Sequence, residues 1–216
     1  MGHDVYCVGI TGGTASGKSR FALALRDALE DVRVVVLHQD HYFRDWEELG
    51  PEEAERQRTA NSPPAVLWEP LVEHLVALRA AGSVHYPVPH TRAQRRGIAP
   101  AEVGPSDVVI LEGHLIFWDD RVRALMDLRI FMDVDADERM LRRVLRDTKE
   151  RGMSTVEGVA AWYRRDVEPN HFRYTEPSRR HAHLIVPYGF ENDTAVGIVA
   201  AGVREKIVHE KRRGGP

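Results

Sequence analysis

One glycine-rich stretch constrains the fold of this chain more than any other feature of the sequence. It reads Thr11-Gly12-Gly13-Thr14-Ala15-Ser16-Gly17-Lys18-Ser19 and has the spacing of a phosphate-binding loop, or P-loop. A short apolar segment, Val5–Ile10, precedes it, and a helical pattern with Phe21, Leu25 and Leu29 in register follows it. The glycines permit backbone angles that turn consecutive N–H groups toward one anion. The sequence therefore predicts a strand, a phosphate-binding loop and a helix in succession.

The loop supplies the candidate ligands of a nucleotide. They are Gly12, Gly13, Thr14, Ala15, Ser16, Gly17, Lys18 and Ser19. We expect Lys18 to reach the β- and γ-phosphates and the Ser19 hydroxyl to take a Mg²⁺ position. The helix that begins near Lys18 adds its positive dipole end at the same place. The alternative, a glycine-rich turn without a ligand, is disfavoured because the predicted strand and helix flank the loop as the motif requires.

The rest of the chain alternates between apolar, β-branched runs and helical patterns. The predicted strands are Val5–Ile10, Val32–Leu37, Asp107–Leu111, Leu128–Val134 and Leu184–Val186. Further helices are predicted at about Ala65–Ala80, Ala136–Arg151, Thr155–Val167 and Thr194–Glu210. This alternation predicts an α/β fold of the P-loop NTPase type, with a mostly parallel sheet flanked by helices. Two segments, Arg44–Pro64 and His85–Ser106, show neither the helical spacing of apolar residues nor the pattern of a strand. Loops of this length are usually functional or disordered.

Composition narrows the class of protein. The chain has 216 residues, a length that predicts a single domain over residues 1–216. Hydrophobic residues make up 43% and the formal net charge is −3, which argues against a disordered chain and against a nucleic-acid clamp. No apolar run approaches the ~20 residues needed to cross a bilayer. Cys7 is the single cysteine, so an intramolecular disulfide is excluded, and we expect a cytoplasmic protein that does not associate with membranes.

Two carboxylates follow predicted strands and are candidates for a metal ligand or a base. Asp40 follows the strand Val32–Leu37, and Glu112 directly follows the strand Asp107–Leu111. Ligands collect at the carboxyl edge of parallel sheets, where the P-loop should also lie. Either residue alone would more often be an ordinary loop carboxylate. Their position beside a P-loop favours the functional interpretation.

An arginine-rich helix is predicted over Ala136–Arg151. Its apolar stripe consists of Met140, Leu141, Val144 and Leu145, and a different face carries Arg139, Arg142, Arg143 and Arg146. A solvated basic face is one interpretation. The other is a lid, at about residues 136–153, whose guanidinium groups neutralise the charge of transferring phosphates and exclude water. Arg143, Arg146 and Arg151 are the candidates for that role.

Several motifs in this order resemble a known family. They are GITGGTASGKS, HQDHYF, LEGHL, IFMDVDADERMLRRVLRDTKERG and HLIVPYGFEN. Together they closely resemble the uridine/cytidine kinases of the phosphoribulokinase/uridine kinase family, over about Val5 to Val208. The stretch Asp133–Gly152 and the ending Pro187-x-Gly189-x-x-Asn192 are much more specific than the P-loop.

The resemblance implies roles for particular residues. Asp40 stands where the family has its general base, which takes the proton of the nucleoside 5′-hydroxyl, and it is also a candidate metal ligand beside Ser19 and Glu112. The implied catalytic residues are Asp40, Lys18, Arg146 and Arg151, and the last two match lid arginines that face the phosphates. Arg143 matches a family position that contacts the ribose. Tyr42 matches a family position that holds an aromatic residue near the acceptor.

The acceptor side departs from the family pattern. Asn61 replaces the Asp that holds the ribose 2′- and 3′-hydroxyls, and Pro89 replaces a base-contacting Tyr. Gln94 replaces a His, unless the loop shifts to use His90, and Met153 replaces the Arg that ends the family's Glu-Arg-Gly-Arg. Asn61 keeps a hydrogen-bonding group but loses the charge-assisted acceptor. A site altered in this way implies either weak use of uridine or another acceptor.

The sequence therefore predicts a P-loop kinase that uses ATP and Mg²⁺ to phosphorylate a hydroxyl of a small molecule. Its acceptor-binding residues are predicted to be Asp40, Tyr42, Asn61, His90, Gln94, Arg143 and Met153, with an insertion at about residues 85–106. Uridine or cytidine, in pyrimidine salvage, is the favoured acceptor; nicotinamide riboside, pantothenate or a sugar remains open. A nucleotide-binding protein without efficient transfer is a further alternative. The preference for ATP or GTP and feedback inhibition stay open, and family resemblance suggests a homotetramer.

Overall fold

The computed structural model describes residues 5–45, 50, 52–53, 62–150, 155–187 and 192–213. Its strands are β1 (Tyr6–Gly12), β2 (Val34–His38), β3 (Val84–Tyr86), β4 (Ala101–Val103), β5 (Val108–Glu112), β6 (Leu128–Asp133) and β7 (Leu184–Pro187). A five-stranded parallel sheet has the order β2-β5-β1-β6-β7, and β3 and β4 form a separate antiparallel pair. The predicted α/β fold with a mostly parallel sheet is confirmed.

Helices cover both faces of this sheet. They are α1 (Lys18–Ala28), α2 (Trp68–Arg79), α3 (Arg92–Arg95), α4 (Asp120–Ala124), α5 (Ala136–Leu145), α6 (Val156–Trp162), α7 (Glu168–Asn170) and α8 (Asp193–Arg213). Short 3₁₀ turns occur at Gln39–Tyr42, Pro63–Ala65 and Glu176–His181, and π-helical turns at Arg146–Glu150, Tyr163–Val167 and His171–Thr175. Among the described residues, no helix combines the length and the apolar character needed to cross a membrane.

Strand β1 lies at the centre of the sheet and is buried along its whole length. Successive side chains of a strand point to opposite faces, so β1 contributes to two hydrophobic clusters. Tyr6, Val8 and Ile10 pack in the cluster that contains α1 and α8 residues, whereas Cys7 packs in the cluster that contains α2 residues. An uninterrupted apolar run is what such a doubly covered strand requires. This requirement explains why the parallel strands were recognisable in the sequence.

The carboxyl ends of three neighbouring strands converge at one edge of the sheet. β1 runs into the P-loop, β2 runs into the 3₁₀ turn Gln39–Tyr42, and β5 ends at Glu112. The strand register pairs Glu112 with Ile10 on one side and with His38 on the other. The fold therefore places the P-loop and the two strand-end turns side by side.

The α-helical part of the arginine-rich segment is shorter than predicted, and its buried residues include arginines. Helix α5 ends at Leu145 and continues as a π-helical turn, where the Thr148 hydroxyl donates to the Val144 carbonyl oxygen at 2.6 Å. Leu141 is 56% exposed, whereas Arg139 is only 4% exposed. Of the two interpretations of this helix, the solvated basic face is contradicted at Arg139 and Arg143, which are both buried. The arginine face turns inward because it packs on the P-loop and on the aromatic side chain of Trp162.

Candidate active site

The P-loop has the backbone conformation that its sequence predicts. Gly12 and Gly17 have φ angles of 147° and 87°, which a residue with a side chain rarely adopts. A Cβ atom on Gly12 would lie 2.6 Å from the Met132 carbonyl oxygen of β6, so the loop also needs glycine for close packing. The Ser16 hydroxyl is buried and has no hydrogen-bond partner in the described part of the chain. The backbone conformation of the loop and this unpaired hydroxyl fit a bound phosphate group.

Lys18 begins α1 and points back over the loop. Its Nζ atom donates a hydrogen bond to the Gly13 carbonyl oxygen at 2.9 Å. Enclosure by protein atoms lowers the pKa of Lys18, an effect that the nearby carboxylates of Glu112 and Asp40 oppose. The ammonium group is thus held beside the loop and close to both candidate carboxylates.

Ser19 and Glu112 are in direct contact. The Ser19 hydroxyl donates to Glu112 Oε1 at 2.9 Å, and Glu112 is only 6% exposed. A hydroxyl and a carboxylate are oxygen ligands of the kind that Mg²⁺ prefers, so this pair fits the predicted metal position. The described residues contain no group of three or more His, Cys, Asp or Glu side chains arranged to hold a metal ion. Phosphate oxygens of a bound nucleotide and water molecules are the ligands that would complete the coordination.

Asp40 lies on the turn Gln39–Tyr42 and is exposed. Enclosure by protein atoms raises the pKa of Asp40, whereas the neighbouring groups, first His114 and then the cationic side chains of Lys18 and Arg92, lower it. The net effect is that the pKa of Asp40 is held below its ordinary value. Asp40 is consequently an exposed carboxylate that can accept a hydrogen bond from a hydroxyl.

Two strand-end turns are fixed against each other, which sets the position of Asp40 relative to Glu112. The Gln39 side chain accepts a hydrogen bond from the Leu115 backbone N–H at 2.9 Å. A Cβ atom on Gly113 would lie only 2.3 Å from the Cβ atom of Gln39. This close approach requires glycine in the sequence Glu112-Gly113-His114.

The basic helix contacts the P-loop directly. Arg143 donates to the Thr14 hydroxyl at 2.7 Å, and its guanidinium group lies 4.2 Å from the ring centroid of Trp162. Asp147 is paired with Arg143 at 3.2 Å and with Arg146 at 2.9 Å. Of the three predicted lid arginines, Arg143 contacts the P-loop and Arg146 is close enough for its charge to lower the pKa of Lys18.

Arg139 is a residue that the sequence analysis did not select. It donates to the Val134 carbonyl oxygen at 3.0 Å, and its Nη2 atom lies 3.3 Å from His171 Nε2. Its Nη1 atom has no hydrogen-bond partner within the described residues and would lie 2.2 Å from a Cβ atom on Gly13. The signal in the sequence was the spacing of four between Arg139 and Arg143, which places them on one helix face.

The predicted acceptor-binding residues have varied surroundings. Tyr42 is completely buried, and its hydroxyl is 2.8 Å from His74 Nδ1. His90 and Gln94 are exposed, and the Gln94 side chain accepts a hydrogen bond from the His90 backbone N–H at 2.8 Å. Asn61, Arg151 and Met153 lie outside the described residues.

Comparison with known proteins identifies the family. Residues 7–195 match the model of the phosphoribulokinase / uridine kinase family. The chain belongs to this family. Its P-loop, strand-end carboxylates and arginine helix are all within the matched range.

Full-length relatives of this family member include enzymes named uridine kinase. The protein from Halalkalibacterium halodurans is 36% identical over 98% of this chain and 99% of its own length. The protein from Clostridium botulinum is 37% identical over 93% of this chain and 96% of its own length. Among solved structures, phosphoribulokinase from Rhodobacter spheroides is 16% identical with a TM-score of 0.57, over 89% of this chain and 74% of that one. The structural likeness supports the fold alone.

Proposed function

We propose that this family member transfers the γ-phosphoryl group of ATP to the 5′-hydroxyl of uridine or cytidine. The observation that carries the proposal is the convergence of Lys18, the Ser19–Glu112 pair and Asp40 at one edge of the sheet. A protein that only binds nucleotides needs Lys18, Ser19 and Glu112, but it has no use for an exposed carboxylate such as Asp40 beside them. The acceptor is proposed from the names of the full-length relatives.

Each group in the proposed mechanism has a chemical reason for its position. ATP with Mg²⁺ supplies the transferable phosphoryl group. Lys18 and the P-loop amides would bind the phosphates, while Ser19 and Glu112 would hold the Mg²⁺ ion, which would neutralise phosphate charge. Asp40 accepts the proton of the attacking hydroxyl, and its low pKa keeps it ionised and ready to do so.

The arginine helix supplies positive charge to the same proposed reaction. Charge spreads over the oxygens of a transferring phosphoryl group, and guanidinium groups stabilise it best when water is excluded. Arg143 and Arg146 are held by Asp147, so they approach the phosphates in a fixed orientation. We propose that residues 136–153 act as the lid and that Arg151 contributes to it.

The acceptor can be identified by measuring ADP release with Mg²⁺–ATP over a panel of acceptors. The panel contains uridine, cytidine, other nucleosides, nicotinamide riboside, pantothenate and sugars. We expect turnover with uridine or cytidine. Turnover only with another panel member would refute the proposed acceptor, and stoichiometric ATP binding without any turnover would refute phosphoryl transfer.

A different acceptor in the same reaction class is the second candidate. The Gln94 side chain, at the position of the family's His, is hydrogen-bonded to the His90 backbone. That contact occupies Oε1 of Gln94, so an acceptor bound here would be recognised mainly through the Nε2 amide group. The same panel distinguishes this candidate from the first.

A further inference from the structure

His38, the last residue of β2, contacts Glu112 of the proposed metal position. Its Nδ1 atom is 2.7 Å from Glu112 Oε1, the same oxygen that accepts the Ser19 hydrogen bond at 2.9 Å. The His38 side chain is 29% exposed, whereas that of Glu112 is only 8% exposed. One carboxylate oxygen is therefore held between an imidazole and a hydroxyl.

The backbone of His38 is itself held in place. Its N–H donates to the Tyr86 hydroxyl at 2.7 Å, and that hydroxyl lies 3.2 Å from the His38 carbonyl oxygen, which accepts from it. The strand register also pairs His38 with Glu112 across β2 and β5. Because Tyr86 belongs to β3, these contacts join the predicted acceptor insertion to the metal position.

We propose that His38 is a positioning residue that donates its Nδ1–H to Glu112 and thereby orients this carboxylate for Mg²⁺ beside Ser19. The inference rests on the proposed function, which assigns Ser19 and Glu112 to the metal that accompanies ATP. A carboxylate that ligates a metal depends on its hydrogen-bond partners for orientation, and loss of such a partner typically costs about 10- to 100-fold in metal affinity. Tyr86, which lies in the predicted acceptor insertion, holds the backbone of His38 through its hydroxyl group.

Two amide substitutions separate this role from a general structural one. In His38→Asn, an amide N–H can occupy the position of Nδ1 and still donate to Glu112. In His38→Gln, the amide reaches instead toward the position of Nε2, away from that carboxylate. Both variants remove the aromatic ring, so damage to packing should affect them similarly.

The measurement is the affinity for ADP by titration calorimetry, with excess Mg²⁺ and with EDTA. We expect the wild-type protein and His38→Asn to gain affinity from Mg²⁺ to a similar extent. For His38→Gln, the ratio of the ADP affinity with Mg²⁺ to that in EDTA should be roughly tenfold or more smaller than for the wild-type protein. Its ADP affinity in EDTA should stay unchanged. His209→Gln is the control, because it removes an exposed histidine of α8, outside the proposed site, and should leave both affinities unchanged.

The outcomes separate this inference from the proposed function. An unchanged Mg²⁺ gain in His38→Gln would overturn the inference. Loss of ADP binding in EDTA by both His38 variants would also overturn it, because the role would then be structural. If the wild-type protein binds ADP equally well with Mg²⁺ and with EDTA, both the proposed metal site and this inference are refuted. A normal Mg²⁺ gain without transfer to uridine or cytidine would count against the proposed acceptor alone.

Discussion

At the scale of single residues, short motifs predicted the polar groups that converge on the sheet edge. Ser19 and Glu112 are separated by more than ninety positions in the sequence, yet their side chains lie 2.9 Å apart. The carboxyl ends of parallel strands meet at one edge, which made this pairing predictable. The sequence analysis did not include His38 among the candidate site residues, because only the strand register shows that it lies beside Glu112.

Lys18→Ala tests the P-loop assignment. The substitution removes a positive charge that is already held over the loop, 2.9 Å from the Gly13 carbonyl oxygen. We expect a loss of turnover of roughly 10²–10³-fold or more, because this charge would stabilise the transferring phosphates. ADP release at saturating substrate measures the effect. A variant with the wild-type rate would show that the assignment is wrong.

Asp40→Asn tests the proposed base. The amide keeps the size of the side chain but cannot accept the proton, so kcat should fall by about 10²–10⁴-fold. Binding of ATP should be nearly unchanged, and calorimetry provides this control. Unchanged kcat would refute the role of Asp40 as the base.

At the scale of elements, close packing between turns sets the geometry of the site. The turn Gln39–Tyr42 and the turn after β5 touch at Gly113, where no Cβ atom can be accommodated. Helix α5 illustrates the limit of periodicity, since its pattern identified two faces but not which one is buried. Arg139 and Arg143 are buried because the P-loop and Trp162 offer them partners that leucines could not use.

Gly113→Ala should disturb both stability and activity. The new Cβ atom would lie 2.3 Å from Gln39, so the two turns must separate, and overpacking of this kind costs about 1–3 kcal/mol. The midpoint of thermal unfolding should fall, and kcat should fall with it because Asp40 moves away from Glu112.

Gly202→Ala is the matched control for this prediction. Gly202 lies inside α8, and a Cβ atom there would meet no atom within 4 Å. Alanine should stabilise the helix by roughly 0.5–1 kcal/mol relative to glycine. If both variants unfold at the same temperature, the steric argument for Gly113 fails.

At the scale of the whole molecule, buried histidines couple stability to pH. Burial lowers the pKa of His114 to about 3 and that of His171 to about 4. Glu176 lies 3.3 Å from His171 Nε2, but burial and the charge of Arg139 outweigh its effect. These side chains are neutral in the folded protein and bind protons when the chain unfolds.

The free energy of unfolding should therefore fall in acid. The stabilisation is complete above the unfolded pKa of ~6.5 and is progressively lost as the pH falls from there toward about 4. Urea midpoints at about pH 7.5 and about pH 5 measure the difference. His171→Gln should reduce this difference. A midpoint that is equal at both pH values for the wild-type protein would contradict the prediction.

The sequence by itself determined the fold class and the phosphate-binding chemistry of this protein. Both depend on local patterns: apolar runs that must be buried as strands, and glycines that must adopt positive φ at Gly12 and Gly17. The tertiary structure alone decided that Arg139 is buried, that Leu141 is exposed, and that His38 supports Glu112. These outcomes depend on contacts between segments distant in the chain, and no periodicity along one segment specifies them.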